Sequence, residues 1–377
     1  MTLKIVQSAT SIVRLVPGQL INGIRSPEEM IVEGLPESRS EDRLQAAITR
    51  RLHRRAVAQG SIVLPAVPDL IDAYVTLCDN TFRSLGVSFS DGQIHQLRGA
   101  LAEQLAVAFA GSPRSEIVIT YDKPVGMQVN YFVKAQWSSV DNAYDQWVAT
   151  REPPYFGTEP DAFVTSLVNK VDDPALFPIL DIGAGTGRNS LALARRGHPV
   201  DAVEFSSRFV DILRRETKRE KLDVRVIESD VFSATEELRN DYQMVLVSEV
   251  VSDFRSMHDL RKVFVLAARC LAPGGVLVFN SFVAHDDYLP DEASIQFAQQ
   301  SYSAIFSRSD LAASVAGLPF QFESEESVFD FEKANLPAES WPPTKWFEGW
   351  VSGQDVFDVE RAESPIEMRW FLYRRSA

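Results

Sequence analysis

The residues with the most chemical content stand together in Pro178-Ile-Leu-Asp-Ile-Gly-Ala-Gly-Thr-Gly187. Three glycines at G-x-G-x-G spacing follow an apolar run, and Arg188-Asn-Ser-Leu-Ala-Leu-Ala-Arg-Arg196 then repeats apolar residues at helical spacing. Strand, glycine turn and helix in that order form the nucleotide-binding opening of a doubly wound α/β sheet. Gly183 and Gly185 admit positive φ and a close backbone approach to a ligand, and Gly187 lets the helix pack on the strand. Asp181 stands two residues before the first glycine. A carboxylate there repels a pyrophosphate and attracts a cation. Further acids close the strands that follow: Glu204 ends Pro199–Phe205, Asp230 ends Val224–Val231, and Ser248 with Glu249 falls near the end of Met244–Val251. Glu204 lies at about the separation expected of a carboxylate that grips a ribose.

On these residues the chain resembles the class I S-adenosylmethionine-dependent methyltransferases, whose first motif is this D-x-G-x-G-x-G. S-adenosylmethionine carries a sulfonium and an ammonium and no phosphate, which suits Asp181. The turn Leu271-Ala-Pro-Gly-Gly275 before a fifth strand, Val276–Phe279, is another feature of that family, and the resemblance spans residues 175 to 285. It implies a Rossmann-like α/β fold, a mostly parallel seven-stranded sheet with an antiparallel last strand. It implies S-adenosylmethionine as cofactor, S-adenosylhomocysteine as product, and cofactor contacts from Asp181, Gly183, Ala184, Gly185, Thr186, Gly187, Asn189, Glu204, Phe205, Asp230, Val231 and Ser248, with Asp230 at the adenine amino group. The string Leu180–Ala194, with Gly197 and Val200–Val203, is locally similar to the tellurite-resistance and thiopurine-type branch. That branch methylates small, soft or heteroaromatic acceptors. The fourth strand is not followed by Asn-Pro-Pro-Tyr or Asp-Pro-Pro-Tyr, and a Pro-Cys nucleophile is missing. His285-Asp-Asp287 is the nearest approach to a metal-ligand set, so no metal is expected.

Methyl transfer to a thiolate or amine needs alignment and dryness more than a base, and effective molarity alone supplies roughly 7–11 kcal/mol. A hydroxyl acceptor needs a base, for which Glu249 and His285 are the candidates, with Asp253 and His258 behind them. His258 opens a helical pattern and suits a surface role better. Residues 137 to 165 carry Trp137, Tyr144, Trp147, Tyr155 and Phe156 among Arg151, Pro153, Pro154 and Gly157. This stretch reads either as a cap over cofactor and acceptor, with Tyr144, Trp147 and Tyr155 facing substrate, or as a packed connector. Aromatic faces there can hold a sulfonium by cation–π attraction. Trp341-Pro-Pro-Thr-Lys-Trp-Phe-Glu-Gly-Trp350 reads either as a satellite core or, through Trp346, as a wall of the acceptor pocket.

The elements that position these residues divide at about residue 136. At 377 residues the chain exceeds the usual single domain. Residues 1–136 are expected to form an accessory α+β domain, and 137–377 the catalytic domain with 137–165 as its cap segment. Ile12–Val16 and Met30–Val32 are strand-like. Ser40–Gln59 is helical with Leu44, Ile48 and Leu52 on one face and Arg50, Arg51, Arg54 and Arg55 along it. Further helices start after Pro68 and after Ser90-Asp91, the latter with Ile94, Leu97, Leu101 and Leu105 inward. Glu116–Thr120 and Gln128–Val133 alternate around Lys123-Pro-Val-Gly126 as a β-hairpin. Beyond the fifth strand, a helix near Ser309–Ala316 and strands Phe320–Ser324 and Met368–Tyr373 close the sheet.

The net charge of −14 argues against a non-specific nucleic-acid binder. Cys78 and Cys270 sit in apolar helical patterns and are expected as reduced core thiols, which points to the cytoplasm. No apolar run reaches membrane-spanning length, and the first residues lack a signal-peptide layout. The function expected is methyl transfer to a small organic acceptor. The alternatives are a methyltransferase of protein or RNA docked through the N-terminal domain, and a non-catalytic cofactor-binding scaffold. The N-terminal domain is also open to homo-oligomer formation.

Overall fold

The computed structural model describes residues 12–14, 40–138, 148–233 and 236–376. The chain divides into two compact units, Met1–Ser139 and Val140–Ala377.

In the first unit a sheet of four strands runs in the order β1 (Ile12–Arg14), β2 (Ala58–Pro65), β3 (Glu116–Lys123), β4 (Asn130–Gln136). β3 and β4 form the antiparallel pair that their alternation predicts, with Thr120 opposite Phe132. Helix α2 (Ile71–Ser84) buries Tyr74, Val75, Cys78 and Phe82, and α3 (Asp91–Gly111) buries Leu97, Leu101, Leu105 and Ala108. Ser90 caps α3 in a reciprocal box with Gln93, which satisfies two backbone donors at the helix start.

Helix α1 (Ser40–Arg55) ends earlier than its periodicity predicts. Residues 58–65 pair instead with β3, Ile62 opposite Ile119, because the run Ile62-Val63-Leu64 buries alternate side chains better in a sheet than on a helix. The Leu44, Ile48 and Leu52 face of α1 is exposed. The helix is anchored at its end, where the buried Lys123 ammonium donates to the carbonyls of Ala56 (2.7 Å), His53 (3.0 Å) and Arg54 (3.4 Å). The His53 and Arg54 carbonyls also accept from Ala56 N–H (3.2 Å) and Gly126 N–H (3.3 Å), and the ammonium adds a cation of the sign the helix dipole favours. Met30–Val32 lies outside the described residues.

The second unit is a doubly wound sheet. Its strands are β5 (Ile179–Ile182), β6 (Val200–Glu204), β7 (Val224–Glu228), β8 (Tyr242–Val247), β9 (Leu271–Ala284), β10 (Ile305–Phe306), β11 (Phe320–Ser327) and β12 (Ile366–Arg375). They lie in the order β11-β12-β9-β8-β5-β6-β7, with the two-residue β10 beside β9. β5 to β9 are parallel, whereas β12 runs antiparallel to both β9 and β11. Relative to the seven strands expected, β10 is an addition, and β9 reaches back through Pro273-Gly-Gly275 to Leu271.

Every residue of β5 and β6 is buried, as parallel strands covered on both faces require. Two apolar clusters flank the sheet. One gathers α4 (Ala162–Val168), the inner face of α5 (Arg188–Arg195) and α10 (Val328–Asn335). The other gathers α7 (Met257–Cys270) and α9 (Arg308–Val315). Between α5 and α7 comes α6 (Ser207–Glu220), and α8 (Glu292–Gln300) precedes β10. Trp370 of β12, fully buried, stacks on Phe163 of α4 at 5.3 Å. Cys78 and Cys270 are free and buried. Among the described residues no helix is long and apolar enough to cross a membrane.

Candidate functional site

Strand order reverses at β5, whose neighbours β6 and β8 leave in opposite directions. Open α/β sheets bind ligands above the carboxyl ends at such a point. The loop from β5 to α5 sits there, with Gly183, Gly185 and Gly187 all at positive φ. A Cβ on Gly183 would fall 2.3 Å from the Val250 Cγ2, so this backbone must approach the end of β8 unclothed. Four backbone amides of the loop are already in use. Gly183 and Ala184 N–H donate to the Val203 carbonyl (2.9 and 3.1 Å), Gly185 N–H to Glu204 Oε2 (2.8 Å) and Gly187 N–H to the Ala184 carbonyl (2.9 Å). An anion-binding nest needs such donors free, and this loop withholds these four from a pyrophosphate.

The charges around the loop are mostly negative and mostly buried. Asp181 Oδ2 accepts from Ser190 Oγ at 2.5 Å, and burial pushes its carboxyl up to about 7 against the pull of that bond. Glu204 Oε1 accepts from Ser206 N–H (2.8 Å), so both its oxygens hold a backbone donor. Asp161, just before α4, takes Ser248 Oγ (2.7 Å) and Asn189 Nδ2 (2.8 Å) on one oxygen, and Arg188 (2.8 Å) on the other. Arg188 also reaches Glu249 Oε1 at 2.6 Å. The Arg188, Asp161 and Glu249 side chains are 9%, 3% and 13% exposed, so the ion pairs stand out of water. Glu249 has φ +59, and its N–H donates to Asn280 Oδ1 of β9 at 2.7 Å. On α10, Glu332 accepts from the N–H groups of Ala162 (2.7 Å) and Phe163 (3.1 Å) and from Trp370 Nε1 (3.0 Å). Burial first, then Asp161, pushes the Glu332 carboxyl up to about 7.

The remaining expected residues fall as follows. Asp181, Gly183, Ala184, Gly185, Thr186, Gly187 and Glu204 frame one loop. Asn189 and Ser248 turn their polar groups to Asp161 and serve the wall behind it. Asp230 lies two residues past the end of β7, exposed, its Oδ1 accepting from Phe232 N–H (3.0 Å) and Ser233 N–H (3.2 Å). Val231 is half-buried beside it, and Phe205 is exposed just past Glu204. The Phe156 ring stands 3.4 Å from where a Gly185 Cβ would lie and meets Phe209 edge-on at 5.4 Å; Tyr155 leans on the same ring at 6.4 Å. Tyr144 and Trp147 lie outside the described residues.

Trp346 belongs to an aromatic cluster. It meets Trp350 edge-on at 5.4 Å, and Trp341 meets Phe347 at 5.8 Å. Phe347 and Trp350 are core residues, and Trp350 Nε1 donates to the Tyr302 carbonyl. Of the two expectations for this stretch, packing is the one these contacts serve. His285 and His258 are exposed. Among the described residues no group of acids, histidines and cysteines is arranged to hold a metal. A cavity of about 160 Å³ opens past β8, lined by Phe254, Met257, Ile295, Ala304, Ile305 and Phe306 among others.

The sequence reading missed Arg188, Asp161, Asn280 and Glu332. Only Arg188 carried a signal: a cation at the first position of a helix opposes the dipole there, which calls for a buried acid nearby.

Strand order 3-2-1-4-5-7-6 with the seventh reversed is what β7-β6-β5-β8-β9-β12-β11 amounts to. Residues 179–275, from β5 into β9, match the family described as a methyltransferase domain. The fold is that of a class I methyltransferase. No curated protein matches the chain. Solved structures resemble it at low identity. The geranyl diphosphate C-methyltransferase of Streptomyces coelicolor A3(2), in complex with Mg2+, geranyl diphosphate and S-adenosylhomocysteine, is 14% identical, with 57% of this chain and 80% of that chain covered and a TM-score of 0.45. The StiE O-MT, residues 961–1257, is 18% identical over 56% of this chain and 72% of that one, TM-score 0.41. The [4+2]-cyclase SpnF is 18% identical over 57% and 81%, TM-score 0.40.

Proposed function

We propose that the chain transfers a methyl group from S-adenosylmethionine to a small organic acceptor. The observation that carries this reading is the charge balance at the glycine loop: Asp181, Glu204 and Glu249 stand around backbone four of whose amides are spent, a setting that suits a cation and disfavours a phosphate. The residues present fit the cofactor. The resemblance assigns the ribose to Glu204, whose two oxygens accept the Gly185 and Ser206 N–H groups at the edge of the glycine loop, and the adenine edge to Asp230 and Val231.

Bound S-adenosylmethionine supplies an activated methyl group, and the protein's part is placement and exclusion of water. Phe156 covers the loop at Gly185 and helps keep it dry. Glu249, fixed at three points, presents a carboxylate at the end of β8, able to orient an acceptor or to take its proton if the acceptor is a hydroxyl. His285, exposed at the end of β9, is the weaker candidate for that proton. The resemblance to the tellurite-resistance and thiopurine-type branch favours a soft or heteroaromatic acceptor.

A second reading, a protein substrate docked through the N-terminal domain, is favoured by one observation. Helix α1 exposes Leu44, Ile48 and Leu52 together with Arg50, Arg51, Arg54 and Arg55. The two are separated by incubating the protein with methyl-labelled S-adenosylmethionine and a fractionated cell extract. Label in the low-mass fraction is expected; label in protein or RNA alone would favour the second reading. Calorimetry with NAD in parallel should show no binding, and NAD binding without S-adenosylhomocysteine binding would overturn both.

A further inference from the structure

Arg188 is an unusual residue for its place. It opens α5, where the helix dipole repels a cation, and it is buried. A buried ion pair contributes little net stability after desolvation, and an apolar pair of similar volume often does better. The pair Arg188–Glu249 nevertheless sits against the glycine loop, at a residue whose backbone is held in the left-handed region. For a glutamate that conformation is costly and is found where surroundings over-determine it. Here they do so from three sides. Asn280 of β9 holds the Glu249 N–H, Ser252 Oγ donates to its carbonyl (3.3 Å), and Arg188 holds its carboxylate. The next residue, Val250, touches Gly183.

We infer that Arg188 is a positioning residue that holds the Glu249 carboxylate, as an anion, beside the glycine loop, and that this anion makes the site favour the cationic methyl donor over its product. The inference rests on the methyl-transfer reading above. S-adenosylmethionine and S-adenosylhomocysteine differ by one methyl and one positive charge on sulfur. A fixed carboxylate in a partly desolvated site distinguishes them by that charge, so product leaves more readily than donor. Shape alone would not achieve this, because the two molecules are otherwise alike.

The charged groups facing Glu249 are Arg188 from α5 and Asp161 from the start of α4, with Asn280 of β9 neutral. Behind Arg188 lie Glu332 of α10 and Asp181 of β5. Burial pushes the Glu249 carboxyl up and Arg188 pulls it back. Without the guanidinium, Glu249 takes a proton at a higher pH than before. Its charge, and with it the preference for the donor, then appears only as pH rises further.

The test is calorimetric titration of the full chain with S-adenosylmethionine and with S-adenosylhomocysteine between pH 6 and pH 8.5, for the wild type, Arg188→Met, Arg188→Lys and Glu249→Gln. In Glu249→Gln the donor-to-product affinity ratio is expected to fall by about tenfold or more and to keep only the pH dependence that Asp181 gives it. In Arg188→Met the pH at which the ratio rises should move upward, and Arg188→Lys should restore it in part. Equal weakening of both ligands at every pH, with the ratio unchanged, would make Arg188 structural and overturn the inference. Should Arg188→Met not fold, Glu249→Gln decides alone, since it leaves Arg188 with Asp161. A wild type that binds neither ligand overturns the donor reading and this inference with it. Binding of both with an unchanged ratio in Glu249→Gln overturns only the inference.

Discussion

Both oxygens of Glu204 already accept a backbone N–H, from Gly185 and from Ser206, so this one side chain shapes the loop as well as offering itself to a ribose. Hydrogen bonds to a charged group contribute roughly 1.5–3 kcal/mol each. Glu204→Ala is therefore expected to weaken S-adenosylhomocysteine binding by about 10- to 100-fold while the circular dichroism spectrum is kept. Unchanged affinity in a folded variant would remove Glu204 from the cofactor site. Asp181 makes a different forecast. Its carboxyl titrates at about 7 when folded, against an ordinary 3.8. Between those values the unfolded chain binds fewer protons than the folded one, so this group's contribution to stability is whole below the lower value and is lost as pH rises through the upper. Asp181→Asn, which mimics the protonated form and can still bond Ser190, should gain on the wild type in melting temperature as pH rises from about 4 to about 7, with the gap constant above that. A constant difference across that range would mean that Asp181 titrates normally.

At the scale of elements, the end of α1 is held by one buried ammonium. Lys123→Met takes the ammonium from the Ala56 carbonyl and leaves those of His53 and Arg54 with only the Ala56 and Gly126 N–H groups, and local opening of the last turn should become easier by about 1–3 kcal/mol. Hydrogen exchange of the amides at 53–57 in the intact chain reports it, and unchanged protection there would show that Lys123 is incidental to the helix. That contact was beyond sequence reasoning because it joins residues some seventy positions apart. What was readable was local and periodic. The leucines of α3, the alternation of β3 and β4, and the run from Asp181 to Gly187 each carry their pattern within a few residues. β2 was lost because α1's period runs smoothly into Ala56 and Val57, and only the partner strand decides that residues 58–65 extend. The site divides in the same way. Glu204 was legible as an acid closing a strand, whereas Asp161, Asn280 and Glu332 reach the site from three different elements and have no shared spacing. Trp346 was ambiguous for a related reason: aromatic residues near prolines look alike whether they pack on each other or face a ligand.

At the scale of the molecule, strand order and chain order disagree at one place. β12 lies between β9 and β11, yet it comes after both, separated from β11 by α10 and the further helices α11 (Phe347–Val351) and α12 (Gln354–Phe357). It pairs along its length with each neighbour, Phe371 opposite Phe279 on one side and opposite Glu325 on the other. During synthesis, then, β9 and β11 are made with a gap between them. Until residues 366–375 have left the ribosome, β9 presents a long apolar edge, the kind of surface that recruits strands from other chains. The strand that closes the gap brings Trp370 and Phe371 into the two cores at once. Removing residues 366–377 should therefore yield aggregate rather than a loosened enzyme, visible as loss of soluble protein on expression, while supplying the missing strand as a separate peptide during refolding should recover part of it. Soluble, monomeric protein without that strand would show that the sheet can close early. For this chain the step that completes the fold is an insertion and not an addition at an edge, and a ribosome paused shortly before it would leave the most adhesive intermediate the sequence can make.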